Sequence, residues 1–182
     1  MKRAQAFMVA MIIAGGLTAC GNDNTESAKT HNDADVSFAQ NMIPHHKQAI
    51  EMARAAATKA QDQRVKSIAQ RIESAQLPEI QTMQGWLRGW KESEKPTVDH
   101  EFHGAALGPG MMSAEEIQKL QFSSGADFDR MFLDLMIRHH EGAIAMAEEE
   151  LTKGKDAATK DLATRIRDDQ RREINEMRAI LR

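Results

Sequence analysis

The sequence is written twice. Displaced by 94 residues, positions 35–87 align with positions 129–181 without a gap, and 22 of the 53 pairs are identical. The likeness is densest where "NMIPHHKQAIEMA" (41–53) meets "LMIRHHEGAIAMA" (135–147). Identical pairs include Asp35/Asp129, Phe38/Phe132, Met42/Met136, His45/His139, His46/His140 and Met83/Met177. A tandem copy of this length is one supersecondary unit repeated, and neither copy can bury its apolar face alone.

Within each copy the apolar residues follow helical spacing. Positions 38, 42, 45, 49, 52 and 56 form one seam in alternating steps of four and three, and 39, 43, 46, 50, 53 and 57 form a second beside it. The pattern weakens over "TKAQDQ" (58–63) and resumes at Val65, Ile68, Ile72, Met83 and Leu87. Each copy is therefore expected to be a helical hairpin turning near Ala60, with a kink at Pro78 that its counterpart Arg172 does not impose. Two hairpins packed face to face make an all-α four-helix bundle. No Tyr, only two Trp, and twelve Met in 182 residues suit close-packed helices better than strands. The connector, residues 92–125, is long, and "SAEEIQKL" opens a short helix in it through a capping box of Ser113 and Glu116.

The expected organisation is a signal peptide (1–19), a tether (20–33) and the duplicated bundle (34–182). Lys2 and Arg3 precede an apolar run, Ala4 to Gly16, too short to span a bilayer. The run ends in "LTAC", which resembles the bacterial lipoprotein cleavage site, so Cys20, the sole cysteine, is expected to be lipidated. Polar "GNDNTESAKTHND" then reads as a flexible tether. An exported, lipid-anchored protein facing the periplasm or the cell exterior is expected, and Gly21 in place of a retention-type aspartate favours the outer membrane. Without Lys2 and Arg3 the chain carries 22 basic and 27 acidic residues, about 5 negative. A nucleic-acid role, which needs a basic face and stacking aromatics, is not indicated.

The chemistry-bearing feature is Met-x-x-His, as Met42/His45 and Met136/His139, neighbours on one helix face. Di-iron carboxylate bundles place Glu-x-x-His there; a thioether instead of a carboxylate shifts preference from iron and manganese toward Cu(I). Up-down-up-down packing would run the first and third long helices parallel, setting both motifs at one depth. Met83 and Met177 would lie within about a turn of Phe38 and Phe132. The connector would return to the same end, bringing Met111 and Met112 as possible entry ligands, with His100 and His103 as further candidates for binding. His46 and His140 complete the candidates, on the more aliphatic seam. The opposing reading is architectural: methionine fills core gaps, and paired histidines can bond each other, Asp35, Asp129 or backbone carbonyls. Duplication copies core and ligands alike. No triad, phosphate loop or acid–base pair of catalytic spacing is visible, so an enzyme is not expected.

"MIPHHKQAIEMA" and "MIRHHEGAIAMA", with "PGMMSAEEIQKL" and "DFDRMFLDLM", resemble the family catalogued as domain of unknown function 305, over about residues 33 to 182. The resemblance implies a ferritin-like four-helix bundle in an exported bacterial protein. It also implies copper as a candidate cargo, because the CopM-type periplasmic members are associated with copper binding and resistance through Met and His ligands. Two functions follow as expectations: a copper-binding envelope lipoprotein that holds copper or hands it to a partner protein, or a structural or interaction module whose histidines form a buried polar network.

Overall fold

A computed structural model describes residues 29–95 and 108–182. Two hairpins account for most of it. The first is α1 (Asp33–Lys59) and α2 (Gln63–Trp90); the second is α4 (Gly125–Lys153) and α5 (Ala157–Ile180); α3 (Ala114–Phe122) lies in the connector. The turns fall at Ala60–Asp62 and Gly154–Asp156, 94 residues apart, as the alignment requires. Both Pro44 and Pro78 sit inside continuous helices. The capping box expected at Ser113 is present: Ser113 Oγ accepts from the Glu116 N–H, and Glu116 accepts from the Ser113 N–H.

The core divides into two clusters, and their membership gives the helix directions. One gathers the second half of α1 (Ala49, Met52, Ala53), the first half of α2 (Val65, Ile68, Ile72), the first half of α4 (Phe128, Phe132, Met136) and the end of α5 (Ile174, Met177). The other joins the first half of α1 (Phe38, Met42), the end of α2 (Met83, Leu87), the second half of α4 (Ala143, Ala147) and the start of α5 (Leu162, Ile166). Early α1 thus meets late α4, and α1 and α4 run antiparallel. Fully buried Phe, Leu, Ile and Met side chains such as these each contribute roughly 1.5–3 kcal/mol of transfer free energy.

This corrects the up-down-up-down expectation. The order is up-down-down-up, and the two repeats are related by a pseudo-two-fold axis across the bundle, as the subunits of an isologous dimer are. The reciprocal contacts are direct. Asp35 at the start of α1 accepts from the backbone N–H groups of Lys155 and Asp156 at 3.1 and 2.9 Å; Asp129 near the start of α4 accepts from those of Gln61 and Asp62 at 3.0 and 2.7 Å. Each aspartate ties down the turn of the other hairpin.

The connector therefore does not return to the end it left. Trp90, at the end of α2, stacks on His31 beside the start of α1, with ring centroids 4.5 Å apart. Gly125, where α4 begins, pairs with Ala60 at the far end of α1. Between them lies the length of a 27-residue helix, about 40 Å. The connector must cover that distance, and in doing so it crosses the middle of the α1/α4 seam.

Candidate metal centre

His45 and His139 meet at that crossing. Their ring centroids are 3.7 Å apart with planes tilted by 39°, and both residues are buried. The helices supply this geometry: each histidine lies midway along its helix, so antiparallel packing about the pseudo-two-fold brings equivalent residues together. Met42 and Met136, each one turn before its histidine, are fully buried on opposite sides of the pair, in different core clusters. Met83 belongs to the cluster of Met42, and Met177 to that of Met136. The expectation that all soft ligands gather at one end is thus replaced by a two-sided arrangement around a central imidazole pair.

The hydrogen bonding of the pair is incomplete. His45 Nε2 donates to the Pro109 carbonyl at 3.0 Å, while its Nδ1 has no partner. Among the described residues neither Nδ1 nor Nε2 of His139 has one. Burial, and next the neighbouring His46, hold the His45 imidazole down to about 3; burial, and next His45, hold His139 well below its ordinary value. Both rings are therefore neutral at ordinary pH and keep lone pairs that nothing in the described structure uses. Buried polar atoms are nearly always satisfied, and an unsatisfied one costs about 1–3 kcal/mol.

The adjacent histidines differ. His46 Nε2 donates to Glu79 at 2.8 Å, and His140 Nε2 to Glu173 at 2.7 Å, although each Nδ1, like that of His45, has no partner among the described residues. The carboxylates are the same position of the two repeats, so this pairing too was copied. The sequence reading missed Glu79 and Glu173, although both stand among the identical pairs; the signal was there, a turn C-terminal to Gln76/Gln170. None of the four histidines bonds to Asp35 or Asp129. Those aspartates serve the turns, and Asp129 caps no helix of its own, since α4 begins at Ser124 without a side-chain cap.

A strap from the connector lies over the pair. The Gln48 side chain accepts from the Met112 N–H at 2.8 Å and donates to the Met112 carbonyl at 2.9 Å. On the other side, a Cβ on Gly142 would overlap the Pro109 carbonyl, and one on Gly110, whose φ is 73°, would overlap the Arg138 carbonyl. Met111 is half-buried. Met112 is buried, and its Sδ accepts from Arg138 Nη2 at 2.9 Å, with Arg138 also bridging to Glu116 at 2.5 Å. The Met112 sulfur is thus committed to a guanidinium. His100 and His103 lie outside the described residues, as does Cys20.

Among the described residues no group of three or more His, Cys, Asp or Glu is disposed to hold a metal ion. What these residues offer is two neutral imidazoles with thioethers one turn away, a donor set that suits a soft ion.

The family model for the domain of unknown function DUF305 matches residues 35–181. The chain belongs to the DUF305 family. No curated protein matches the sequence. Among solved structures, a DUF305 fragment from Deinococcus radiodurans is 31% identical, with a TM-score of 0.75 over 84% of this chain and 98% of that one. A DUF305 protein from Streptomyces coelicolor is 30% identical, with a TM-score of 0.75 over 81% of this chain and 91% of that one. CopM in its Cu(II)-bound form is 32% identical, with a TM-score of 0.69 over 81% of this chain and 95% of that one. CopM has also been solved with Cu(I) and with silver. The DUF305 bundle is thus the fold of this chain, and no helix among its described residues is long and apolar enough to cross a membrane.

Proposed function

We propose that this DUF305 protein binds a soft metal ion, copper in its Cu(I) state above all, as cargo to be sequestered or handed to a partner protein in the cell envelope. The observation that carries the reading is His139. A neutral imidazole with both nitrogens buried and unpartnered, against a second imidazole with one nitrogen free, is costly architecture unless something occupies those lone pairs. Met42 and Met136 flank the pair with thioethers that have no hydrogen-bonding duty, and thioether and imidazole together suit Cu(I). The likeness to CopM, solved with Cu(I), Cu(II) and silver, supports the same choice. The ligands proposed are His45, His139, Met42 and Met136, with Met83 and Met177 behind them. The lipoprotein-type leader ending at Cys20 supports an anchored, exported carrier.

The test is an anaerobic competition titration of Cu(I) against a chromophoric chelator, with His139→Leu beside the parent. Tight binding by the parent that the variant loses supports the reading. No competition by the parent excludes it.

One observation favours the architectural alternative. In the His46–Glu79 and His140–Glu173 pairs each Nε2–H is held by a carboxylate with no metal involved, on a buried histidine that leaves only Nδ1 without a partner among the described residues. Under that alternative all four histidines form a polar network that fixes helix register, and His139→Leu lowers stability as much as His140→Leu does.

A further inference from the structure

The strap does more to the histidine pair than cover it. A carbonyl oxygen only accepts, so the 3.0 Å contact between Pro109 O and His45 Nε2 places a proton on Nε2. The lone pair of the neutral ring is then on Nδ1, which is buried without a partner. His139, the same position of the second repeat, has neither nitrogen engaged by any described residue. Under a perfect two-fold the two histidines would be in the same state. They are not, because only one connector crosses the axis.

What seats the strap is a pair of positions that duplication made equivalent and that differ in this chain. Gln48 and Gly142 are 94 residues apart. The first clamps both backbone groups of Met112; the second has no side chain, and any Cβ there would occupy the place of the Pro109 carbonyl. One member pulls the strap in while the other makes room for it. Metal-ligating histidines generally donate their second ring N–H to a carbonyl or carboxylate, and losing that partner typically weakens metal binding 10- to 100-fold.

We propose that Gln48 and Gly142 are positioning residues for the metal pair: through the strap they hold His45 as its Nε2–H tautomer, so that it presents Nδ1 alone, while His139 keeps either nitrogen available. This rests on the reading of the pair as a soft-metal site. The two histidines are then unequal ligands in a nearly symmetric bundle, and the strap decides which is which.

The experiment uses the ¹⁵N-labelled metal-free protein and long-range ¹H–¹⁵N correlation spectra of the imidazoles, then Ag(I) as a redox-inert probe. In the parent, His45 shows the Nε2–H pattern. In Gly142→Ala, and independently in Gln48→Ala should the first variant fold poorly, that pattern gives way to a tautomer mixture while His46 and His140 keep theirs. Ag(I) then shifts His45 Nδ1 in the parent and binds the variants roughly tenfold or more weakly. An Nδ1–H pattern for His45 in the parent, or an unchanged pattern in both variants, overturns the proposal whether or not silver binds. Tautomers as expected with no response of any histidine to Ag(I) would instead overturn the metal reading, and with it this use of the strap.

Discussion

Asp35 and Asp129 hold the same place in the two repeats, and each spends its carboxylate on the other repeat's hairpin turn. This exchange adds to the core in closing the bundle, because the turns are the points where each hairpin could splay from its partner.

Asp129→Ala strands the N–H groups of Gln61 and Asp62 and is expected to cost on the order of 2–3 kcal/mol, since hydrogen bonds to a charged acceptor are worth about 1.5–3. Asp35→Ala should cost more, because Asp35 also accepts from the Asn32 N–H in the capping box of α1. Urea denaturation measures both. Losses no larger than those of an exposed control such as Glu51→Ala would mean that the exchange does not hold the hairpins together.

His139→Leu separates cargo binding from architecture. Among the described residues neither ring nitrogen of His139 has a partner to lose, so leucine removes a desolvated polar group and leaves no new one. The expected result is a melting temperature equal to or above the parent's, with metal binding lost. His140→Leu, which strands Glu173, should lower it. A lower melting temperature for His139→Leu would assign the ring a structural duty.

Acid should destabilise the protein through the same pair. His45, held down to about 3 by burial and by His46, and His139, lowered likewise, stay neutral in the fold, whereas in the unfolded chain an imidazole takes up a proton near pH 6.5. Between those values the unfolded state binds more protons, so the contribution is intact above about pH 6.5 and is lost as pH falls. Denaturation at pH 7.5 and pH 5 should show a smaller loss in His139→Leu than in the parent. An equal loss would contradict neutral burial of the pair.

Glu150 titrates in the opposite sense. It is buried where the first repeat has Ala56, and burial, followed by the neighbouring Asp35 carboxylate, pushes its carboxyl up to about 8. A raised carboxyl leaves stability intact below about pH 4.5 and erodes it as pH climbs toward 8. The gain in melting temperature of Glu150→Gln over the parent should therefore grow from pH 5 to pH 8. A gain independent of pH would mean that Glu150 is already ionised in the fold.

The duplication, the hairpins, the turn at Ala60 and the Ser113 cap were legible because each is a local pattern. The direction of the second hairpin relative to the first was not, since seam spacing is the same whichever way a helix is read. The two core clusters reveal it, and so do Asp35 and Asp129, bonded across repeats. That error moved the candidate ligands: Met42 and Met136 flank the imidazoles from two sides. Glu79 and Glu173 were visible as an identical pair but had no role until His46 and His140 pointed at them. Gln48 and Gly142 were hidden for the opposite reason. They differ between the repeats, and their meaning lies in a strap whose path no periodicity describes.

The central claim is that the two repeats share one soft-metal site. The direct measurement is the anaerobic Cu(I) competition titration of the parent beside the Met42→Leu/Met136→Leu double variant. Leucine keeps nearly the volume of methionine, at a cost below about 1.5 kcal/mol for each swap. The account predicts a folded variant with clearly weakened Cu(I) affinity; a folded variant that holds Cu(I) as tightly as the parent would contradict it.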